Sequence, residues 1–231
     1  MRLPAAAPAT GSAEPSPSPF LQPHFATLGV QQETSKLGLW LFLASEVLFF
    51  TGLFTAYGVY RANHQALFHY AQHFLDWRMG VLNTAVLITS SLAAAWSVRA
   101  AQLGDRRTLL RTLAATFLLA GVFMVVKYLE YSHKLEHGIG WGAACRPDAE
   151  ALAALPEAVR ALAVPDRLGT FFAVYYLMTG LHGIHVLVGM ALYLWLLRRA
   201  RRGQFGPAYY GPVGAVALYW PPGDGIWIFL F

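Results

Sequence analysis

The sequence predicts an all-α, polytopic membrane protein with five transmembrane helices, a cytoplasmic N-terminus and a periplasmic C-terminus. Of its 231 residues, 56% are hydrophobic and only 13% are charged, a composition typical of a chain whose main solvent is lipid. The apolar residues are grouped into five runs, each long enough to cross a hydrocarbon core about 30 Å thick. Together these observations favour a membrane-embedded helical domain.

An N-terminal segment rich in Pro, Ala and Ser, residues 1–35, is predicted to be a flexible tail. It has no apolar core of the kind that a secretory signal requires. The transmembrane domain is expected to cover residues 36–231. Its predicted helices lie at 37–60, 79–98, 109–129, 168–197 and 207–231.

Residues 131–167 are predicted to form the longest connection, an outer loop that carries an interfacial helix. Pro156 either breaks the amphipathic pattern there or starts a short helix at Glu157. Pro221 and Pro222 are expected to kink the fifth helix.

Basic residues predict the orientation of the helices. They are concentrated in the connections between helices two and three and between helices four and five, at Arg99, Arg106, Arg107, Arg111, Arg198, Arg199, Arg201 and Arg202. Short loops rich in Arg and Lys stay on the cytoplasmic side, so both loops should face the cytoplasm of a bacterial plasma membrane. This grouping explains the net charge of +5 without a nucleic-acid partner.

Glu46 is the only charged residue within the predicted first helix. It lies ten residues after Lys36, which places it roughly 15 Å deep, near the bilayer centre. An ionisable group at that depth is costly, so it indicates a functional site and needs a partner.

Two histidines of the fourth predicted helix, His182 and His185, are candidate partners for Glu46. They share a helical face and lie at a similar estimated depth. A hydrogen bond between a histidine and the carboxyl would lower the penalty for both groups, and His182 is the first candidate. A metal site and separately packed side chains are the alternatives. The nearby Gly180, Gly183 and Gly189 are expected to let another helix approach closely.

Other intramembrane polar residues are expected to support helix packing. Lys127 and Glu130, three residues apart, should pair on one face of the third helix. Asn83 and Thr84 are candidates for hydrogen bonds between helices, and Asp224 in the fifth helix needs a partner.

Two further sequence features give only weak evidence of a functional site. The segment from His133 to His137 matches the H-x-x-E-H pattern of zinc peptidases, but its place at a helix end favours a polar turn. The single cysteine, Cys145, excludes a disulfide and a cluster of thiolate ligands within the chain. Since neither feature indicates a metal site, we expect none.

Several stretches, in this order, resemble subunit III of the haem-copper terminal oxidases in its five-helix bacterial form. They are LFLASEVLFFTGLF around Glu46, Leu82-Asn83-Thr84, LAGVFMVVKYLEYSH, GTFFAVYYLMTGLHGIHVLVG, and ALYW followed by Asp224 and WIFLF. One departure is Trp220-Pro221-Pro222-Gly223-Asp224-Gly225-Ile226-Trp227, which lacks the histidine usual in that family. Any role of that histidine does not carry over.

The resemblance implies an accessory subunit without a catalytic centre, bound to the catalytic subunit I and subunit II, with structural phospholipid and a role in proton uptake. A larger respiratory supercomplex is a further expectation. Haem and copper would belong to the partner subunits. In that family the glutamate matching Glu46 lies in a lipid-lined cleft beside the catalytic subunit. The alternatives are a homologue associated with nitric-oxide reductase and an independent proton or solute carrier.

Overall fold

The computed structural model describes residues 21–230, and within them the chain is helical with no β-strands. The helices are α1 (Leu28–Asn63), α2 (Gln65–Ala71), α3 (Trp77–Leu103), α4 (Arg106–Glu136), α5 (Ala149–Ala153), α6 (Glu157–Arg160), α7 (Leu168–Arg201) and α8 (Gly211–Leu230). Five are long, and their connections alternate between two ends of the bundle. We call these the Trp77 end and the Arg106 end.

Four of the long helices, α1, α3, α4 and α7, are long and apolar enough to cross a membrane. The fifth, α8, has 20 residues, contains Pro221, Pro222 and Asp224, and is not among these four. The described residues therefore hold four candidate spans where the sequence predicted five. Both prolines lie inside one continuous helix.

The largest differences from the predicted boundaries are at the start of α1 and the end of α4. Helix α1 begins at Leu28, inside the predicted tail, because the Thr27 side chain caps it by accepting a hydrogen bond from the Val30 amide at 3.2 Å. The first turns of α1 are polar, so an apolar pattern does not reveal them. Helix α4 continues to Glu136, which shortens the predicted outer loop. Residues 1–20 of the predicted tail lie outside the described residues, as does Phe231.

The turn between α3 and α4 lies at the Arg106 end, and the residues that end α3 and begin α4 explain it. Gly104 ends α3 with a φ of 72°, a left-handed conformation that favours glycine. Asp105 then caps α4, and the hydrogen bonds that it accepts from Thr108 lower the pKa of its carboxyl group. The Arg106 side chain donates to the carbonyl oxygens of Ala200 and Arg201, which joins this turn to the end of α7.

Helices α3, α4, α7 and α8 form the main bundle, and α1 packs on α8. Two indoles fasten α8 to α3. Trp220 Nε1 donates to Ser90 Oγ at 2.8 Å, and Trp227 Nε1 donates to Thr84 Oγ1 at 3.1 Å. These bonds satisfy polar groups that would otherwise face hydrocarbon, and they set the register of the two helices.

At the Trp77 end the connections pack as a small second core. Phe68 of α2 contacts the Phe171 ring edge to face at 5.0 Å, and Tyr176 donates to the Ile139 carbonyl at 2.7 Å. The predicted interfacial helix is in fact two short ones, α5 and α6. Pro156 lies between them, in the cap position directly before Glu157.

Of the three glycines expected to allow close helix approach, Gly180, Gly183 and Gly189, only Gly189 lies against a neighbouring helix among the described residues. A Cβ atom there would lie 2.4 Å from the Trp220 ring, whereas none of the described atoms lies within 4 Å of a Cβ at Gly180 or Gly183. The expectation of close approach at all three was therefore wrong for two of them within this chain.

We predict that Gly189→Ala lowers the free energy of unfolding by about 1 to 3 kcal/mol, because the Trp220 ring must shift and its bond to Ser90 is disturbed. Gly183→Ala is the matched control and should have a small effect. Thermal unfolding of the two variants in detergent measures this. Equal stability would show that α7 and α8 are not in close contact.

Candidate functional site

Glu46 lies beside His185. The Glu46 Oε2 atom is 3.7 Å from His185 Nδ1, which links α1 to α7 within the apolar part of both helices. The His185 side chain is 6% exposed and that of Glu46 is 28% exposed, so the pair stands at the edge of the bundle. A carboxyl group in this position contacts the imidazole on one side and faces the surroundings of α1 on the other.

Helix α8 holds His185 in place. The Tyr219 ring stacks on the imidazole with centroids 4.3 Å apart, and its hydroxyl donates to the His185 carbonyl at 3.0 Å. A Cβ at Gly223 would lie 3.0 Å from His185 Cδ2. The glycine therefore gives the imidazole room to lie flat against α8, in the segment that departs from the family pattern.

His182 is not the residue that contacts Glu46. It is one turn further towards the Trp77 end and is 1% exposed. Its ring contacts Phe123 at 5.5 Å, Trp227 at 5.3 Å and His185 at 6.5 Å between centroids. Neither of its nitrogens bonds to a group among the described residues. A difference of three residues along α7 is within the error of a depth estimate, so the sequence could not choose between the two histidines.

A second group of polar side chains lies near the Trp77 end. Lys127 Nζ donates to Glu130 Oε2 at 2.8 Å, as their spacing predicts. Lys134 pairs with the other carboxylate oxygen, and Tyr175 donates to that oxygen at 2.5 Å. Lys127 also lies over the rings of Tyr131, Tyr175 and Trp227. The two lysines therefore share one carboxylate.

This group lines a cavity of about 470 Å³ that opens at the Trp77 end. The lining residues come from α3, α4, α7, α8 and the segment before α3, and they include Asp76, Trp77, Lys127, Glu130, Tyr175 and Thr179. Charged and hydroxyl groups on its wall suit water or a polar ligand.

Asp224 and Asn83, the remaining candidates, are both buried. Asp224 accepts a hydrogen bond of 2.5 Å from Ser91, which gives this carboxyl the partner that the sequence required. Asn83 bonds to no group among the described residues, whereas its neighbour Thr84 accepts from Trp227. Of this pair, Thr84 therefore makes the bond between helices.

No group of three or more His, Cys, Asp or Glu side chains within residues 21–230 is placed to hold a metal ion. In the H-x-x-E-H segment, His137 Nδ1 lies 3.1 Å from Asp148 Oδ2, so this histidine holds the outer loop against the end of α4. The described part of the chain gives no support to a peptidase site.

Sequence reasoning missed Lys134, Tyr175 and Tyr219. Lys134 was assigned to the loop because α4 was predicted to end at residue 129, although its i,i+4 spacing to Glu130 is a usable signal. Tyr175 precedes His182 by seven residues and shares its face of α7. Nothing in the sequence points to Tyr219, which reaches the site only through the packing of α8.

We predict that Glu46→Gln combined with His185→Leu destabilises the protein by less than the sum of the single changes, because each single change leaves the other partner without its contact. The interaction energy should be on the order of 1 kcal/mol. Glu46→Gln with His182→Phe is the control and should show less coupling. Chemical unfolding of all the variants measures both. Strict additivity for the His185 pair would contradict the contact.

We predict that Glu130→Gln lowers stability by about 3 to 5 kcal/mol, because it leaves two buried ammonium groups without their shared carboxylate. Glu136→Gln, at an exposed position of the same helix, is the control and should change little. Thermal unfolding compares them. Equal stability would mean that the lysines find other partners.

Comparison with known proteins assigns a family. The family profile described as Cytochrome c oxidase subunit III matches residues 21–136 and 158–231. The chain is 30% identical over 198 residues to cytochrome c oxidase subunit 3 of Corynebacterium diphtheriae, covering 85% of this chain and 84% of that protein. It is 31% identical over 196 residues to probable cytochrome c oxidase subunit 3 of Mycobacterium tuberculosis, with the same coverage. The Loxodonta africana subunit 3 is 26% identical over 213 residues, 87% of this chain and 69% of the relative. The chain belongs to the cytochrome c oxidase subunit III family.

Proposed function

We propose that this chain is the accessory subunit III of a proton-pumping haem-copper oxygen reductase. In this role it stabilises the catalytic subunit, binds phospholipid and supports proton uptake, with no redox centre of its own. The observation that carries the proposal is the Glu46–His185 pair in a member of this family, at the edge of the bundle where a partner subunit can cover it. Haem and copper would be held by subunits I and II.

The orientation in this proposal follows from the charges at the Arg106 end. The turn between α3 and α4 and the end of α7 carry the arginines there, and basic residues remain cytoplasmic. Helix α8 serves as the fifth span, because its buried Asp224 is satisfied by Ser91 and its indoles bond to α3. The N-terminus then lies in the cytoplasm and the C-terminus in the periplasm of a bacterial inner membrane.

An apolar groove supports the lipid-binding part of the proposal. It has a volume of about 560 Å³ and lies between α1 and α8, lined by Val47, Phe50, Phe54, Pro222, Ile226 and Phe229. The groove begins next to Glu46 and continues towards the Trp77 end. Its apolar wall suits an acyl chain of a phospholipid, which would cover one side of the carboxyl group.

The structure gives less support to an independent carrier. Such a protein needs polar groups across the full bilayer. The buried face of α7 between His185 and the Arg106 end is almost wholly apolar, formed by Val186, Gly189, Tyr193, Leu196, Leu197 and Ala200. Apart from the Tyr193 hydroxyl, the polar side chains on this helix face are confined to the half nearer the Trp77 end.

Capture of the affinity-tagged chain in mild detergent tests the proposed function. The captured complex should carry haem absorbance and consume oxygen, and the chain expressed alone should carry neither haem nor copper. A nitric-oxide-reducing catalytic subunit in the complex, or stoichiometric haem in the isolated chain, would refute the proposal.

We predict that Glu46→Gln leaves the oxidase complex assembled, because the amide is nearly isosteric and removes an intramembrane charge. Proton pumping or the number of turnovers before inactivation should fall, because the residue no longer accepts a proton. Ser97→Ala, a buried change elsewhere in the bundle that loses only a bond to its own helix, is the control. Stopped-flow measurement of proton pumping and long-term measurement of oxygen consumption test the two effects. Wild-type behaviour in both would limit Glu46 to a structural role.

A further inference from the structure

The polar side chains of α7 form one stripe between the cavity at the Trp77 end and Glu46. Tyr175, Thr179, His182 and His185 are spaced by four, three and three residues, so they share a face of the helix. Tyr175 and Thr179 line the cavity, and His185 contacts Glu46. The stripe therefore connects an open polar cavity with a carboxyl group in the apolar part of the protein.

His182 is the critical member of the stripe. It is 1% exposed, and both of its ring nitrogens lack a bonding group among the described residues. His185 Nε2, one turn away, is also buried and lacks a bonding group among the described residues. Buried polar atoms are almost always satisfied, by water where protein groups do not reach them. Three such nitrogens on successive turns indicate a place for bound water.

Asn83 adds polar atoms at the same depth. The Thr116 hydroxyl of α4 donates to the Ser90 carbonyl of α3 at 3.4 Å, so these two residues are level. Seven residues further towards the Trp77 end, α4 carries Phe123 and α3 carries Asn83. Phe123 contacts His182, so Asn83 lies level with it. Neither amide atom of Asn83 bonds to a described residue.

The separation of the two histidines suits a single bridging water. Their ring centroids are 6.5 Å apart, and one water that bridges two hydrogen bonds spans roughly 5 to 6 Å. A neutral imidazole accepts a proton at one nitrogen and donates one from the other, so it passes protons along a row. The charged end of the row is Lys127 and Glu130, with Lys127 Nζ over the same Trp227 ring that His182 contacts.

We propose that α7 carries a water-linked proton route from the cavity at the Trp77 end, through His182 and His185, to the carboxyl group of Glu46. Each step breaks one O–H or N–H bond and forms another, so one proton enters from water for each proton that reaches Glu46. The route goes beyond the proposed function, because it concerns the side from which Glu46 exchanges its proton. It holds whether or not Glu46 affects turnover.

The test is hydrogen–deuterium exchange at Glu46 in the resting oxidase complex, held in lipid nanodiscs. The carboxyl infrared band is assigned as the one that Glu46→Gln removes, and its shift is followed after rapid mixing with D₂O at an acidity that keeps the group protonated. His182→Phe keeps the ring packing but removes both nitrogens, so exchange should slow by about tenfold or more.

Two other variants make the test specific. Tyr193→Phe removes a buried hydroxyl from α7 on the other side of His185 and should exchange at the wild-type rate. His182→Gln keeps a water-binding side chain, so it should exchange faster than His182→Phe but more slowly than wild type. If His182→Phe does not assemble, the His182→Gln rate alone decides.

Wild-type exchange in the His182 variants would overturn the route, because the proton would then reach Glu46 from the cleft beside α1. Equal slowing in Tyr193→Phe would also overturn it, because the slowing would then come from a general loss of flexibility. Oxygen consumption is not part of this measurement, so its outcome is separate from that of the turnover assay on Glu46→Gln.

Discussion

The cost of a polar group in hydrocarbon determines where this chain places its side chains. The clearest case is Glu130, a largely buried carboxylate that receives two ammonium groups and a tyrosine hydroxyl. Lys127, Lys134 and Tyr175 come from two helices, so satisfying this one carboxylate fixes α4 against α7. The packing of the bundle at the Trp77 end depends on that contact.

The same constraint explains the role of α8. Its tryptophan indoles and Asp224 all bond to hydroxyl groups of α3. These bonds place the Trp227 ring between Lys127 and His182. They also place the Tyr219 ring against His185. A helix that contains two prolines thus positions both polar regions of the interior. Glu46 differs from the other acids because it reaches the bundle from α1, at an edge that remains partly exposed.

The sequence could predict the long helices, because apolar runs of this length have few other solutions, and it could identify Glu46 as costly at its depth. It could not predict the partner of Glu46. His182 and His185 are one turn apart, and the choice between them depends on how α1 rests on α8. Lys134 and the start of α1 were missed for a different reason: polar turns extend the helices beyond their apolar runs. Tyr219 and Gly223 affect the site only through three-dimensional packing.

The central claim is that Glu46 pairs with His185 where this chain meets a haem-copper catalytic subunit. A cryo-electron microscopy structure of the complex captured through this chain tests it most directly. The account predicts the Glu46 carboxyl group in contact with His185, directly or through one water, with the catalytic subunit covering α1. A carboxyl group turned away from His185 by more than about 7 to 10 Å, or a complex without a haem-copper subunit beside α1, would contradict it.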